Sequence, residues 1–265
     1  MYQGKIIDFH AHIFPDKLAE KAAKSIGKFY DFPMSNNGSV NALLESSKSF
    51  NVEHFVVHSV ATTRHQVESI NDFIYEEMTR NSRFIGFMTL HPDMTREEIR
   101  FEVERNMARG LQGIKLHPDF QKFFVDDKEV YKLYEEVEGK LPILFHAGDK
   151  RYDFSAPERI ANIAKEFPNL TCVAAHLGGY NRWHEYKYYE NLDNVYFDSS
   201  STSFFFDPKD NANLIDILGI DRVFFGTDFP MWTYRDEIER IEALPLSEDD
   251  FEKLYYLNAK KFLKL

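Results

Sequence analysis

Eight short, largely apolar runs recur along the chain, and their spacing restricts the fold more than any other feature. They are Lys5–Phe9, His54–Val60, Phe84–Leu90, Gly113–Leu116, Pro142–Phe145, Thr171–Ala175, Asn194–Phe197 and Arg222–Phe225. From the second onward their starts lie roughly 25–30 residues apart, the length of one strand with its returning helix. The runs do not alternate apolar with polar. A strand reads that way when both of its faces are covered.

Helix signals fill the gaps. Thr95-Arg-Glu-Glu98 is a capping box, with a stop near Arg109-Gly110. Asp126 or Asp127 opens the next helix, which closes at Gly139. Ser155-Ala-Pro-Glu158 reads as a second capping box, and Pro157 stands where an early-helix proline is tolerated. Ser247 opens a C-terminal helix carrying Phe251, Leu254, Leu257 and Phe262. Phe29–Ser39 reads as a long loop. Eight strands alternating with helices predict a single (β/α)8 TIM barrel over residues 1–265, with its active site at the C-terminal face of the strands. An open doubly wound sheet is the alternative, but no glycine-rich phosphate fingerprint follows the first run.

Composition narrows the function classes. The net charge is −11 and no basic run occurs, which argues against a nucleic-acid partner. The one cysteine, Cys172, sits in an apolar run and reads as a buried core thiol. No apolar stretch approaches the ~20 residues that span a bilayer. The N-terminus enters a strand without a charged-then-apolar leader, so a cytoplasmic protein is expected.

Six of the ten histidines fall at or just past the ends of predicted strands: His10, His12, His91, His117, His146 and His176. In Asp8-Phe-His-Ala-His12, residues two apart on a strand project to one side, so two imidazoles leave the strand together. The eighth run ends in Gly226-Thr-Asp228, which would bring a carboxylate to His10. His10, His12, His146 and Asp228 make a nitrogen and oxygen donor set with room for water, as in a catalytic zinc-type centre. Such donors suit zinc, manganese, iron or nickel. Each residue alone has a plainer reading as a cap or strand end. His91 and His117 both precede proline, which is strand-exit chemistry.

The chain resembles the amidohydrolase superfamily, and within it the amidohydrolase-2 branch that includes aminocarboxymuconate-semialdehyde decarboxylase. The resemblance runs through Asp8-Phe-His-Ala-His12, Gly113-Ile-Lys-Leu-His-Pro118, Leu144-Phe-His-Ala-Gly148, Ala175-His-Leu-Gly-Gly179, Val195-Tyr-Phe-Asp198, Gly226-Thr-Asp-Phe-Pro230 and the tail Asn258-Ala-Lys-Lys-Phe-Leu. It implies one divalent metal, zinc first, on His10, His12, His146 and Asp228. It implies His176 as an active-site residue near the metal-bound water. Lys115 and His117 become candidates for a second metal or for substrate.

Two activities fit that resemblance. The first is hydrolysis of a small ester, lactone or amide by a metal-activated water, with Asp228 moving the proton and His176 orienting the water or stabilising the oxyanion. The alternative is non-oxidative decarboxylation of an aromatic or unsaturated acid. A carboxylate clamp would then be expected, with Arg64 and Arg151 as candidates. Aromatics after the strands, Tyr180 and Trp183 among them, would line a pocket for a partly apolar small molecule. Phe204-Phe-Phe206 reads as a lid or as a homodimer contact. A metal-binding barrel without catalysis is the remaining reading, and its signature of missing donors is not seen.

Overall fold

Strands and helices alternate along the computed structural model, which describes residues 2–265. The chain begins with β1 (Ile6–His12), α1 (Asp16–Tyr30), α2 (Val40–Ser47), β2 (Val52–His58), α3 (Val67–Arg80), β3 (Phe84–Thr89), α4 (Arg96–Ala108) and β4 (Gly113–Leu116). It continues with α5 (Pro118–Gln121), α6 (Tyr131–Val137), β5 (Ile143–Phe145), α7 (Pro157–Glu166), β6 (Cys172–Ala174), β7 (Val195–Asp198) and α8 (Pro208–Leu218). It ends with β8 (Val223–Phe224), α9 (Tyr234–Glu242), α10 (Glu248–Glu252) and α11 (Asn258–Leu263). The sheet order runs from β1 to β8 in chain order, the connectivity of a (β/α)8 fold. No helix among the described residues is long and apolar enough to cross a membrane.

The chain divides into two compact units, Met1–Val57 with Ser199–Leu265, and His58–Asp198. In the first, β1 lies beside the end of the eighth apolar run and the residues after it. Phe9 N–H donates to Phe225 O, and His12 N–H to Phe229 O, each at 2.8 Å. This pairing carries β1 past Phe9 to His12, beyond the run read from sequence. Phe9 stacks on Phe224 at 4.3 Å and meets Phe262 edge-on. Asp8 is fully buried and accepts from His10 N–H, Thr227 N–H and the Thr227 and Tyr234 hydroxyls. A buried carboxylate is tolerated only when hydrogen-bonded. Burial pushes Asp8 up to about 6, against the pull of its four donors.

The C-terminal helix departs from the sequence reading. A π-type turn at Lys253–Leu257 separates α10 from α11. The Leu254 carbonyl accepts from Phe225 N–H at 2.9 Å, so the widened turn gives the strand a partner. In the same unit, α1 runs on through Tyr30 and shortens the loop expected at Phe29–Ser39.

In the second unit, β3 to β7 pair in parallel, with Phe87 opposite Gly113, Leu116 opposite Phe145 and Ala174 opposite Phe197. Gly113 is required by its neighbour: a Cβ there would come 2.5 Å from the Phe87 ring. Gln121 ties together the segments that follow its strands. Its amide donates to Ala61 O and Leu90 O and accepts from His117 N–H. Buried polar backbone at strand exits is thereby satisfied. Cys172 is buried in β6, and burial pushes its thiol up to about 12. Ser155 is not the helix cap expected from sequence. The N-cap of α7 is Ala156, and the Ser155 hydroxyl donates instead to Asp119 at 2.6 Å.

Candidate metal centre

In the first unit, the strand period sets His10 and His12 on one side of β1, and their Nε2 atoms are 3.2 Å apart. Asp228 Oδ1 lies 3.4 Å from the His10 nitrogen and 3.6 Å from that of His12. A triangle with those edges has its corners about 2.0 Å from a common centre, the bond length of zinc to imidazole and carboxylate. The donors therefore fit a small divalent cation.

Two of the three donors, His10 and Asp228, are aimed by hydroxyls. Ser200 Oγ is 3.1 Å from His10 Nδ1, and a proton held there leaves the lone pair on Nε2. Ser201 Oγ donates to Asp228 Oδ2 at 2.5 Å and accepts from Trp232 Nε1 at 2.9 Å. Asp228 and Ser201 both adopt left-handed backbone, at φ 53° and 56°. That conformation costs a non-glycine residue on the order of 1 kcal/mol and is characteristic of functional sites.

The second unit gathers five more of the predicted residues: His117, His146, His176, Tyr180 and Trp183. His146 Nδ1 is 3.0 Å from His176 Nε2. The His117 ring stacks on that of His146 at 3.9 Å and 6°. His117 Nδ1 accepts from Phe120 N–H at 3.3 Å, so the residue caps the turn after β4. His176, Leu177 and Gly178 all have left-handed φ. This turn is clamped: His176 N–H donates to Asp198 Oδ1 at 3.1 Å, Trp183 Nε1 to His176 O at 2.8 Å, and the Tyr189 hydroxyl to Gly178 O at 2.7 Å. Tyr180 stands edge-on to His176 at 5.7 Å. Asp119 Oδ2 lies 3.5 Å from His146 Nε2, and burial pushes this carboxyl up to about 7. The nearby Asp149 adds to that rise, while the Ser155 hydroxyl and Arg151 oppose it.

Lys115 is fully buried within β4, opposite Thr89 and Leu144. The two proposed clamp arginines are engaged. Arg151 holds Asp149 through Nε and Nη2, the latter at 2.6 Å, because the two lie in one tight turn. Arg64 is exposed, 3.7 Å from Glu98. Phe204 and Phe205 are exposed, with Phe204 against Trp232 and Phe32.

From sequence, no site role fell to Ser200, Ser201 or Asp119; Asp8 and Asp198 stood only within motifs, and Ser155 read only as a helix cap. Asp8 carried a signal, being in step with His10 and His12 on β1. The hydroxyl run Ser199–Thr202, directly after the seventh strand, was another.

Histidine and carboxylate donors at strand exits of a (β/α)8 fold define a class of metal-dependent barrel enzymes. The chain belongs to the amidohydrolase family, whose model matches residues 7–265. Among curated proteins, none matches it. Solved structures share its fold across nearly the whole chain. An uncharacterised TIM-barrel protein from Bordetella bronchiseptica superposes with TM-score 0.80 at 21% identity, covering 98% of each chain. A 5-carboxyvanillate decarboxylase from Sphingomonas paucimobilis gives 0.73 at 15% identity, over 98% of this chain and 99% of that one. A dihydroxybenzoic acid decarboxylase from Polaromonas sp. JS666, with bound manganese and the inhibitor 2-nitroresorcinol, gives 0.75 at 17% identity, over 99% and 98%.

Proposed function

We propose that the protein is a metal-dependent, non-oxidative decarboxylase of a small aromatic or unsaturated carboxylic acid. The observation that carries the metal-dependent part is the triangle of His10, His12 and Asp228 donors, spaced for one divalent cation. The likeness of its fold to decarboxylases supports the choice of reaction. It moves the reading from hydrolysis, the first expectation from sequence, to decarboxylation, the alternative.

His10, His12 and Asp228 would hold the cation, and His146 is proposed to complete the set. Zinc and manganese both suit these donors. Bound there, the ion would supply Lewis-acid polarisation of a substrate oxygen. The chain's own groups handle the proton. Decarboxylation breaks the bond between carbon and carboxylate, leaves the electron pair on carbon, and requires one proton at that carbon as CO2 departs. Asp228 and His176 are the proposed carriers. Ser201 fixes the Asp228 carboxylate, and the clamped turn fixes His176, so neither needs reorganisation during the step.

The test is a panel of hydroxybenzoates, unsaturated acids, esters, lactones and amides, run on protein loaded with zinc or manganese and on metal-stripped protein. CO2 release by the loaded form is expected, with loss of at least about a thousandfold in Asp228→Asn. Ester, lactone or amide cleavage without CO2 release would reinstate hydrolysis.

A further inference from the structure

We infer that Trp232 is a positioning residue for Asp228, acting through Ser201. Its indole N–H holds the Ser201 hydroxyl against Asp228 Oδ2, so that Oδ1 stays turned to His10 and His12. The inference rests on the reading of Asp228 as a metal ligand, but none of its readouts uses turnover.

Three side chains of the first unit meet at one oxygen. Ser201 Oγ lies 2.9 Å from Trp232 Nε1 and 2.5 Å from Asp228 Oδ2, with Met231 Sδ at 3.3 Å. An indole nitrogen can only donate, so the direction of the first bond is settled. Ser201 Oγ stays bonded to Oδ2 whichever of the two carries the proton between them, so the geometry does not turn on the charge of the carboxyl. A serine side chain has three staggered positions. A donor fixed at 2.9 Å selects the one that faces both Trp232 and Asp228.

Trp232 is the fixed end of this chain. Its backbone carbonyl accepts from Asn36 Nδ2 at 3.3 Å. The residues before it are held as well, with Ser35 N–H donating to Met231 O and Asn36 N–H to Pro230 O. The Arg240 guanidinium sits over the Trp232 ring at 4.3 Å, and the rings of Phe204 and Phe32 lie 4.7 and 5.0 Å from it. A buried ring held in this way cannot turn to follow a moving hydroxyl. Ser201 and Asp228, by contrast, stand on left-handed backbone, which persists in non-glycine residues only when the surroundings hold it.

A buried indole N–H needs an acceptor in any fold, so the bond to Ser201 could serve packing alone. Two observations favour positioning. The acceptor is a side chain that itself holds Asp228, whereas Trp183 donates to the backbone carbonyl of His176. A carboxyl group is also rigid and planar. Releasing Oδ2 therefore releases Oδ1 from its places 3.4 and 3.6 Å from the two imidazoles, the spacing that suits a cation.

The experiment measures zinc affinity of the full chain by competition with a chelator. Trp232→Phe keeps a ring and removes the donor. Benzothienylalanine at the same position keeps the size of the ring and exchanges only its N–H for sulfur. Both changes are expected to weaken zinc binding about 10-fold, the lower end for partners that stand behind a ligand. Ser201→Ala is expected to weaken it at least as much. On a Ser201→Ala background, either change at Trp232 is expected to add less than about twofold, because residues acting through one contact are not additive. Affinity within about twofold of wild type in the benzothienylalanine protein overturns the inference, as does a larger added loss on Ser201→Ala. In metal-stripped protein, the Trp232 indole N–H signal, identified by its loss in Trp232→Phe, is expected to shift in Ser201→Ala. An unmoved signal overturns the inference too. A wild type that binds no zinc removes the metal reading and this inference with it, whereas absence of decarboxylase turnover touches neither.

Discussion

The two units aim their imidazoles by different means. In the first, His10 and His12 stand on a regular strand; the Ser200 hydroxyl aims His10, and the buried Asp8 ties the strand to Thr227 and Tyr234. In the second, His176 stands on a left-handed turn that its own sequence does not favour, held by Asp198, Trp183 and Tyr189, while His146 stacks on the His117 ring. The first device is a low-strain element with one deep polar lock. The second is a strained element restrained at several shallow points. Removing the single lock should therefore do more damage than removing any one restraint.

Asp8→Ala carries the largest expected effect. It leaves four buried donors without an acceptor, and each such group costs roughly 1–3 kcal/mol. The gain from no longer burying a carboxylate offsets part of this, so a net loss of about 3 kcal/mol is expected at pH 7, read from urea unfolding. A loss under about 1 kcal/mol would remove Asp8 as the lock and, with it, the contrast between the units.

The contrast also explains what the sequence made legible. Strand period and spacing are local, so the eight strands, the His10/His12 pair and the fold class could be read directly, as could Asp228 at the exit of the eighth run. Capping of α4 by Thr95 and of α10 by Ser247 was local as well. Ser155 shows where local reading stops. Its capping-box pattern is genuine, but the helix takes Ala156 as its N-cap, and the hydroxyl donates to Asp119, 36 positions away. The engagement of Arg151 by Asp149 and of Arg64 by Glu98 depends equally on where loops fold back. The strained turn at His176 could not be read, because neither His nor Leu signals left-handed backbone.

Glu237 sharpens the comparison on the side of the first unit. It is buried in α9, 3.6 Å from Arg240, and burial pushes it from 4.5 up to about 8; Arg240 opposes the rise, while Asp228 and Asp236 add to it. Its pKa is raised in the folded state, so the folded protein holds the proton that the unfolded chain has released between pH 4.5 and 8. Stability from this group is complete below pH 4.5 and is lost as pH rises through about 8. The expected slope is at most about 1.4 kcal/mol per pH unit. Glu237→Gln should flatten it in denaturant titrations across that window. A slope identical in the variant would assign the pH dependence to other groups.

The smallest effect is expected from Trp183→Phe, which tests whether the turn restraints are individually shallow. The substitution keeps an aromatic ring against Tyr180 but removes the Nε1–H that donates to His176 O. One neutral hydrogen bond contributes about 1 kcal/mol, and Asp198 and Tyr189 continue to hold the turn. A loss of about 1 kcal/mol in urea unfolding is expected, with the His176 ring signals shifted but still a single set. A loss as large as that of Asp8→Ala, or two sets of His176 signals, would show that the turn depends on one dominant contact. The second unit would then aim its histidine as the first does, through a single lock.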